Sequence, residues 1–307
     1  MLSMYEKTKI NVRKKKSRDT RYYVSFWLFI LPCAALFVLF FVVPLFLNII
    51  NSFFNYDGFR TREFIGFSNY VQLFSDRDFY NALYRTLMYT VVSLPFKIFI
   101  PLGLAALLVS KTTKLKTITR SLIYLPVLLS SLVVGLTINW MFSEQYGLVN
   151  YLLQQMGMNG INWATEPFFA RLLVIIASTW ASTGFYMLIY IGALNGVSED
   201  VYEAAQIDGA NTFKSFFKIT IPLIKPTTFL VSLLSIISLL KEYALVQGIT
   251  RGGPGTATTY VVQYILTTGF DQSKHGYASA ASVVVMLIFA MIALIQYKFT
   301  NGGELND

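Results

Sequence analysis

Six runs of about twenty mostly apolar residues dominate this chain, at roughly 24–47, 86–109, 121–141, 170–194, 227–247 and 277–297. A run of that length matches the hydrocarbon thickness of a bilayer when it is helical. In lipid the backbone has no water to bond, so an apolar run must satisfy its own N–H and C=O groups, which a helix does. The expected fold class is therefore an all-α integral membrane protein with six transmembrane helices. Charged residues make up 13% of the chain and hydrophobic ones 55%, against about 25% charged in an ordinary soluble domain. Residues 1–23 read as a basic N-terminal segment, 24–297 as the six-helix transmembrane domain and 298–307 as a tail. Arg13-Lys14-Lys15-Lys16, with Arg18 and Arg21, precedes a first run that is too long for a signal-peptide core. Two runs are less clean than the rest. The second holds Pro95, Lys97 and Pro101, and the fifth ends in Lys241-Glu242. The sixth carries Ala278-Ser279-Ala280-Ala281-Ser282, small residues that suit close helix packing in lipid.

Basic residues set the orientation. The connecting segments divide into two alternating sets. One set (1–23, 110–120, 195–226 and 298–307) holds 16 Lys and Arg, and the other (48–85, 142–171 and 248–276) holds 7. The richer set is expected in the cytoplasm, which puts both termini inside. The net charge of +9 then reflects membrane orientation, and no nucleic-acid partner is expected.

The materials for catalysis are missing. Cys33 is the only cysteine and His275 the only histidine. No phosphate-binding G-x-x-x-x-G-K-[ST], H-E-x-x-H or C-x-x-C occurs, so neither an enzyme nor a metal site is expected. Asp76/Asp78 and Glu199/Asp200 are read as loop and helix-start carboxylates. Residues 52–85 are rich in Phe and Tyr, which fits a membrane-interface belt or a docking surface for an external partner. Gly252-Gly253-Pro254 marks a turn beside the moderately apolar Tyr260–Phe270, a re-entrant or surface element.

One stretch in the second half is neither strongly apolar nor a loose linker: Tyr202–Pro226. Ser198 is placed to cap a helix that runs to Ile207, and Asp208-Gly209 breaks it. Asn211 can cap a second helix, in which Phe213, Phe216, Phe217 and Thr220 share one face and which Pro222 ends. Two readings stay open on physics alone: an amphipathic hairpin lying on headgroups, or a helix that inserts into a groove on a cytoplasmic partner.

Glu203-Ala204-Ala205, Gly209, Ile219 and Pro222 resemble the EAA motif of ABC importer permeases, with Ile221 where that motif has leucine. The flanks are similar to the carbohydrate (maltose/oligosaccharide-type) branch: Gly66-Phe67-Ser68-Asn69-Tyr70 with Leu73-Phe74, Phe79 to Thr86, Tyr124-Leu125-Pro126, Trp140, Gly147, Asn150, Trp180, Gly184-Phe185, Met187-Leu188-Ile189, Gly252-Gly253-Pro254 and Gly276–Ala280. Arg85 departs from the asparagine more usual there. The resemblance spans about residues 22–299. It implies a permease subunit in a bacterial or archaeal cell membrane, paired with a second related permease as a heterodimer. It also implies two cytoplasmic ATPase subunits that carry ATP and Mg, and an external solute-binding protein that delivers carbohydrate. No cofactor is implied on this chain. The EAA stretch would couple to the ATPase through Glu203, Ala204, Ala205, Asp208, Gly209, Phe213, Phe216, Phe217 and Pro222.

Candidates for the substrate path are polar or aromatic residues within the runs. Glu242 leads, because charge inside a membrane is costly and marks function. Lys241 and Tyr243 adjoin it. Asn139 and Trp140 lie near the end of the third run, and Trp180, Thr183 and Tyr186 lie in the fourth. The alternative for each is contact between helices. Lys97 is expected to snorkel or to pair. Transport of another solute, such as glycerol phosphate or polyamine, and a non-transporting membrane scaffold are the competing readings.

Overall fold

A computed structural model describes residues 20–59, 62–110 and 115–300. Most of the basic segment 1–23, Lys111 and Lys114, and the end of the 298–307 tail lie outside the described residues. The chain divides into two units, 1–50 and 51–307.

The first unit is one helical path: α1 (Thr20–Phe37), a wide turn at Val38–Val42, and α2 (Val43–Asn51). From Phe26 to Phe41 every side chain is exposed, with Phe29 at 82%. A helix that is apolar all round has no core of its own and requires an apolar surround.

The second unit begins with a two-stranded hairpin, β1 (Phe54–Tyr56) and β2 (Arg62–Phe64), antiparallel with Phe54 opposite Phe64. α3 (Ser68–Phe74) follows, and then α4 (Arg77–Val109). α4 starts nine residues before the apolar run at 86 because Asp76 caps it, accepting from the N–H of Asp78 at 2.8 Å. It continues through Pro95 and Pro101 as a single element of 33 residues. It packs mainly on α8 (Pro167–Asn195).

Two expected single spans are bent instead. The 121–141 run divides into α5 (Lys116–Tyr124) with a tight turn at Leu125–Leu128, and α6 (Ser131–Met141), at 104° to each other. Pro126 shifts the chain into the tight turn and Leu129 is extended, after which Ser130 caps α6 by accepting from the N–H of Val133 at 3.3 Å. The 227–247 run is not one helix: α12 (Lys225–Leu240) covers it only to Leu240. The chain then breaks at Lys241–Tyr243 and resumes as the short α13 (Ala244–Ile249). Among the described residues, four helices are long and apolar enough to cross a membrane. The count reaches six if two bent pairs, Lys116–Leu128 with Ser131–Met141 and Thr212–Leu223 with Lys225–Leu240, are each one span.

α13 turns back to pack along α6, and glycine permits the approach. A Cβ built on Gly248 would lie 2.6 Å from the Leu132 carbonyl, and one on Gly135 would lie 2.5 Å from that of Leu245. α7 (Leu148–Gln155) and α14 (Val261–Leu266) are short connecting helices, and α15 (His275–Phe299) closes the unit.

Three buried clusters hold the unit together. One joins Tyr89, Ile138, Val174, Leu245 and Tyr260; a second joins Leu102, Tyr186, Tyr190, Ile224 and Val231; a third joins Leu73, Phe79, Val261, Tyr277 and Val285. Asp76 ties the last of these across the chain, since Tyr264 and Tyr277 each donate a hydroxyl to Oδ2 at 2.6 Å. Burial alone would raise the Asp76 carboxyl, but these hydroxyls and the amides of Asp78 and Phe79 outweigh it and hold it below its ordinary value. The Tyr264 hydroxyl is pushed up to about 12, first by burial and then by its bond to Asp76.

Candidate functional site

The stretch after α8 folds as an arm of two short helices. α9 (Glu199–Ile207) carries Glu199 and Asp200 in its first turn. Ser198 has the extended backbone of a cap, but its hydroxyl donates to Asp200 Oδ2 at 3.2 Å instead of accepting from the backbone, so the expected Ser198 side-chain cap is absent. α9 ends where the N–H of Ala210 bonds the Ala205 carbonyl at 2.9 Å and that of Gly209 bonds Gln206 at 3.0 Å. This closure needs a left-handed residue, and Gly209 supplies it at φ +75°.

Asn211 then caps α10 (Thr212–Ser215) by accepting from the N–H of Lys214 at 2.8 Å. The helical path does not stop at Pro222. It widens at Phe216–Thr220, passes through Pro222 in α11 (Ile221–Leu223) and bends 68° into α12. Pro222 stands in the opening turn of α11, where its missing N–H costs little.

The expected apolar face of the second helix divides in two. Phe216 packs with Ile224 and Val231, and Thr220 Oγ1 lies 3.0 Å from the hydroxyl of Tyr202 on α9. These contacts fix the arm to the helical body. Phe213 and Phe217, with ring centroids 4.6 Å apart, are 72% and 50% exposed. Glu203, Ala204, Asp208 and Pro222 are also exposed, while Ala205 is buried. Ile207 is 87% exposed. The arm therefore presents an uncovered apolar surface on either side of the Gly209 turn.

The substrate-path candidates do not form one cluster. Asn139 Nδ2 donates to the Ile249 carbonyl at 2.6 Å and so ties α6 to α13. Trp140 is exposed beside Gln145, Tyr146 and Gly147 in a separate cleft. Trp180 and Thr183 line an apolar cleft of about 720 Å³ with Val92 and Phe96 from α4. The Thr183 hydroxyl is spent on the Thr179 carbonyl of its own helix at 2.7 Å. Tyr186 is buried in the second cluster. Lys241 is exposed and Tyr243 half-buried in the break after α12. Glu242, placed by its sequence toward the end of a span, lies in the same break. Its Oε1 accepts from the N–H groups of Tyr243 at 3.1 Å and Leu245 at 3.3 Å and so caps α13. Lys97 on α4 is 2% exposed, so its ammonium is buried in the helical body and does not snorkel.

Sequence reading missed another concavity, of about 410 Å³, where the polar Asn81, Tyr84, Arg85 and Arg171 meet the apolar Met88, Val92, Ile175 and Ala257 and the rings of Tyr89 and Tyr260. The departure at Arg85 was its one visible signal. Among the described residues, no three His, Cys, Asp or Glu side chains gather as a metal site would need.

A long helix pair, bent helices and a two-helix arm define a polytopic helical membrane protein. The chain belongs to the binding-protein-dependent transport system inner membrane component family, whose profile matches residues 65–301. It is 34% identical over 282 residues to the probable ABC transporter permease protein YurN of Bacillus subtilis, covering 91% of this chain and 96% of that one. It is 34% identical to the lactose transport system permease protein LacF of Rhizobium radiobacter, covering 92% and 96% of the two chains. With the arabinooligosaccharides transport system permease protein AraP of Bacillus subtilis it shares 33%, covering 90% and 88%. Its fold matches a chain of a bacterial ABC transporter that imports the acidic polysaccharide alginate, with TM-score 0.81 and 24% identity over 92% of this chain and 96% of that one. Like these relatives, the chain is a multi-pass permease subunit and not an enzyme.

Proposed function

We propose that this chain forms half of the translocation path of an ATP-driven, binding-protein-dependent carbohydrate importer. The curated relatives named for lactose and arabinooligosaccharides support the substrate class. Membership of a binding-protein-dependent family supports an external solute-binding protein as the partner that delivers it. A second permease completes the path as a heterodimer, and two cytoplasmic ATPase subunits bind ATP and Mg. The arm is the coupling element and faces the cytoplasm, in keeping with its place among the basic segments.

One observation carries this reading. Ile207, Phe213 and Phe217 stand uncovered around the Gly209 turn, while Phe216 and the Tyr202–Thr220 contact anchor the same arm to the body. An apolar surface of this kind fits a groove on another subunit. Because the arm is held at its root, a push on its tip is passed to α8 and α12. ATPase closure would move the arm and switch the spans between inward and outward access.

The test is sugar uptake into proteoliposomes that hold the whole transporter, with Gly209→Pro beside the wild type. Proline is locked near φ −65° and cannot adopt the +75° of Gly209. The variant should insert normally and lose most substrate-stimulated ATP hydrolysis. Full coupling in that variant would refute the role of the arm.

A further inference from the structure

Arg85 and Arg171 come from helices that are far apart in sequence, yet they line the same concavity of about 410 Å³. Arg171 Nε donates to the Ala257 carbonyl at 3.2 Å, which fixes one edge of its guanidinium. Among the described residues, nothing bonds its terminal nitrogens or any nitrogen of Arg85. The carboxylate Arg85 senses is Asp78, which lines the neighbouring cavity of about 310 Å³ with Arg251, Thr259 and Gln263. Tyr89 and Tyr260, both buried, stand in the wall of the larger concavity with rings stacked at 4.6 Å and 20°. No carboxylate lines the cavity that the two arginines share.

Two like charges on one wall repel each other, and an anion between them relieves that repulsion. Guanidinium groups suit a carboxylate, because two parallel N–H donors meet two oxygens. In the rest of the lining the Asn81 amide and the Tyr84 hydroxyl suit a sugar's hydroxyls, and Met88, Val92 and Ile175 suit the apolar face of its ring.

We propose that this cavity binds an acidic sugar, with Arg85 and Arg171 holding its carboxylate and Asn81 and Tyr84 meeting its hydroxyls. The inference rests on the importer reading and narrows its substrate class.

Binding of D-glucuronate, D-glucose and inorganic phosphate should be measured by calorimetry on the complete transporter, without binding protein, in phosphatidylcholine nanodiscs. Glucuronate should bind, and glucose and phosphate should bind at least about tenfold more weakly. Arg85→Gln and Arg171→Gln should each weaken glucuronate by about tenfold or more. If a Gln variant fails to fold, Arg85→Lys or Arg171→Lys keeps the charge without the planar fork and should give an intermediate loss. Equal binding of glucose or of phosphate, no binding of glucuronate, or unaffected variants would each overturn the proposal. So would loss of glucuronate binding when phosphatidylglycerol is added, since the cavity would then hold a lipid headgroup. Uptake into proteoliposomes separates the two levels. Accumulation of a neutral sugar that glucuronate does not compete with defeats this inference alone, whereas accumulation of no sugar at all defeats the importer reading with it.

Discussion

At the scale of single residues, the polar side chains of the second unit serve mainly as staples between elements. Asp76 is the clearest case. It caps α4 and accepts the hydroxyls of Tyr264 and Tyr277, which are far away in sequence. Asp76→Ala should lower the melting temperature of the detergent-purified protein, because a cap contributes about 0.5–2 kcal/mol and two buried hydroxyls lose their acceptor. The sign of the pH dependence follows from the depressed folded value of this carboxyl. Its contribution is complete above the unfolded value, near 3.8, and fades as pH falls through the lower folded value. Melting temperatures of wild type and Asp76→Asn, followed from pH 7 downward, should therefore converge only at the acid end. A constant gap across that range would show that the charge is not what matters. Glu242 belongs to the same class of residue. Its sequence position marked it as an intramembrane charge, and its Oε1 accepts from two N–H groups at the start of α13.

At the scale of elements, much was legible along the chain. The limits of α8 and α15 follow from uninterrupted apolar runs, and the two-helix form of the arm follows from Asp208-Gly209 and Asn211. The bends were not legible. Pro95 and Pro101 leave α4 unbroken, while Pro126 coincides with a 104° bend. Proline identity alone does not distinguish these outcomes, because neighbouring elements decide whether the freed backbone groups find partners. The return of α13 onto α6 depends on an approach that only glycine permits. Gly248→Val should force α13 away from α6 and cost about 1–3 kcal/mol. The check is the monodisperse fraction in size-exclusion chromatography, which should fall sharply against wild type. An unchanged profile would mean that the contact yields without cost.

At the scale of the whole molecule, the question is which side of the membrane the arm occupies. Cys33 is the only cysteine, so removing it gives a clean background for labelling. With Cys33→Ser in place, Phe213→Cys should react with a membrane-impermeant maleimide in inside-out vesicles and stay unlabelled in right-side-out ones. The reverse pattern would overturn the orientation and with it the assignment of the arm to a cytoplasmic ATPase. The assembled transporter is the proper background, because docked ATPase should slow the labelling of a residue that is exposed in the chain alone.

The sequence by itself determined that this is a helical membrane chain with a projecting arm broken at Gly209. Those properties depend on local matters: run length against bilayer thickness, and a backbone angle that glycine alone adopts freely. The tertiary structure decided where the helices bend, that Glu242 caps α13, and that Arg85, Arg171, Tyr89 and Tyr260 share one cavity. The reason is physical. Each of these depends on contacts between residues far apart along the chain, such as Arg171 with Ala257, and no pattern within either helix specifies them.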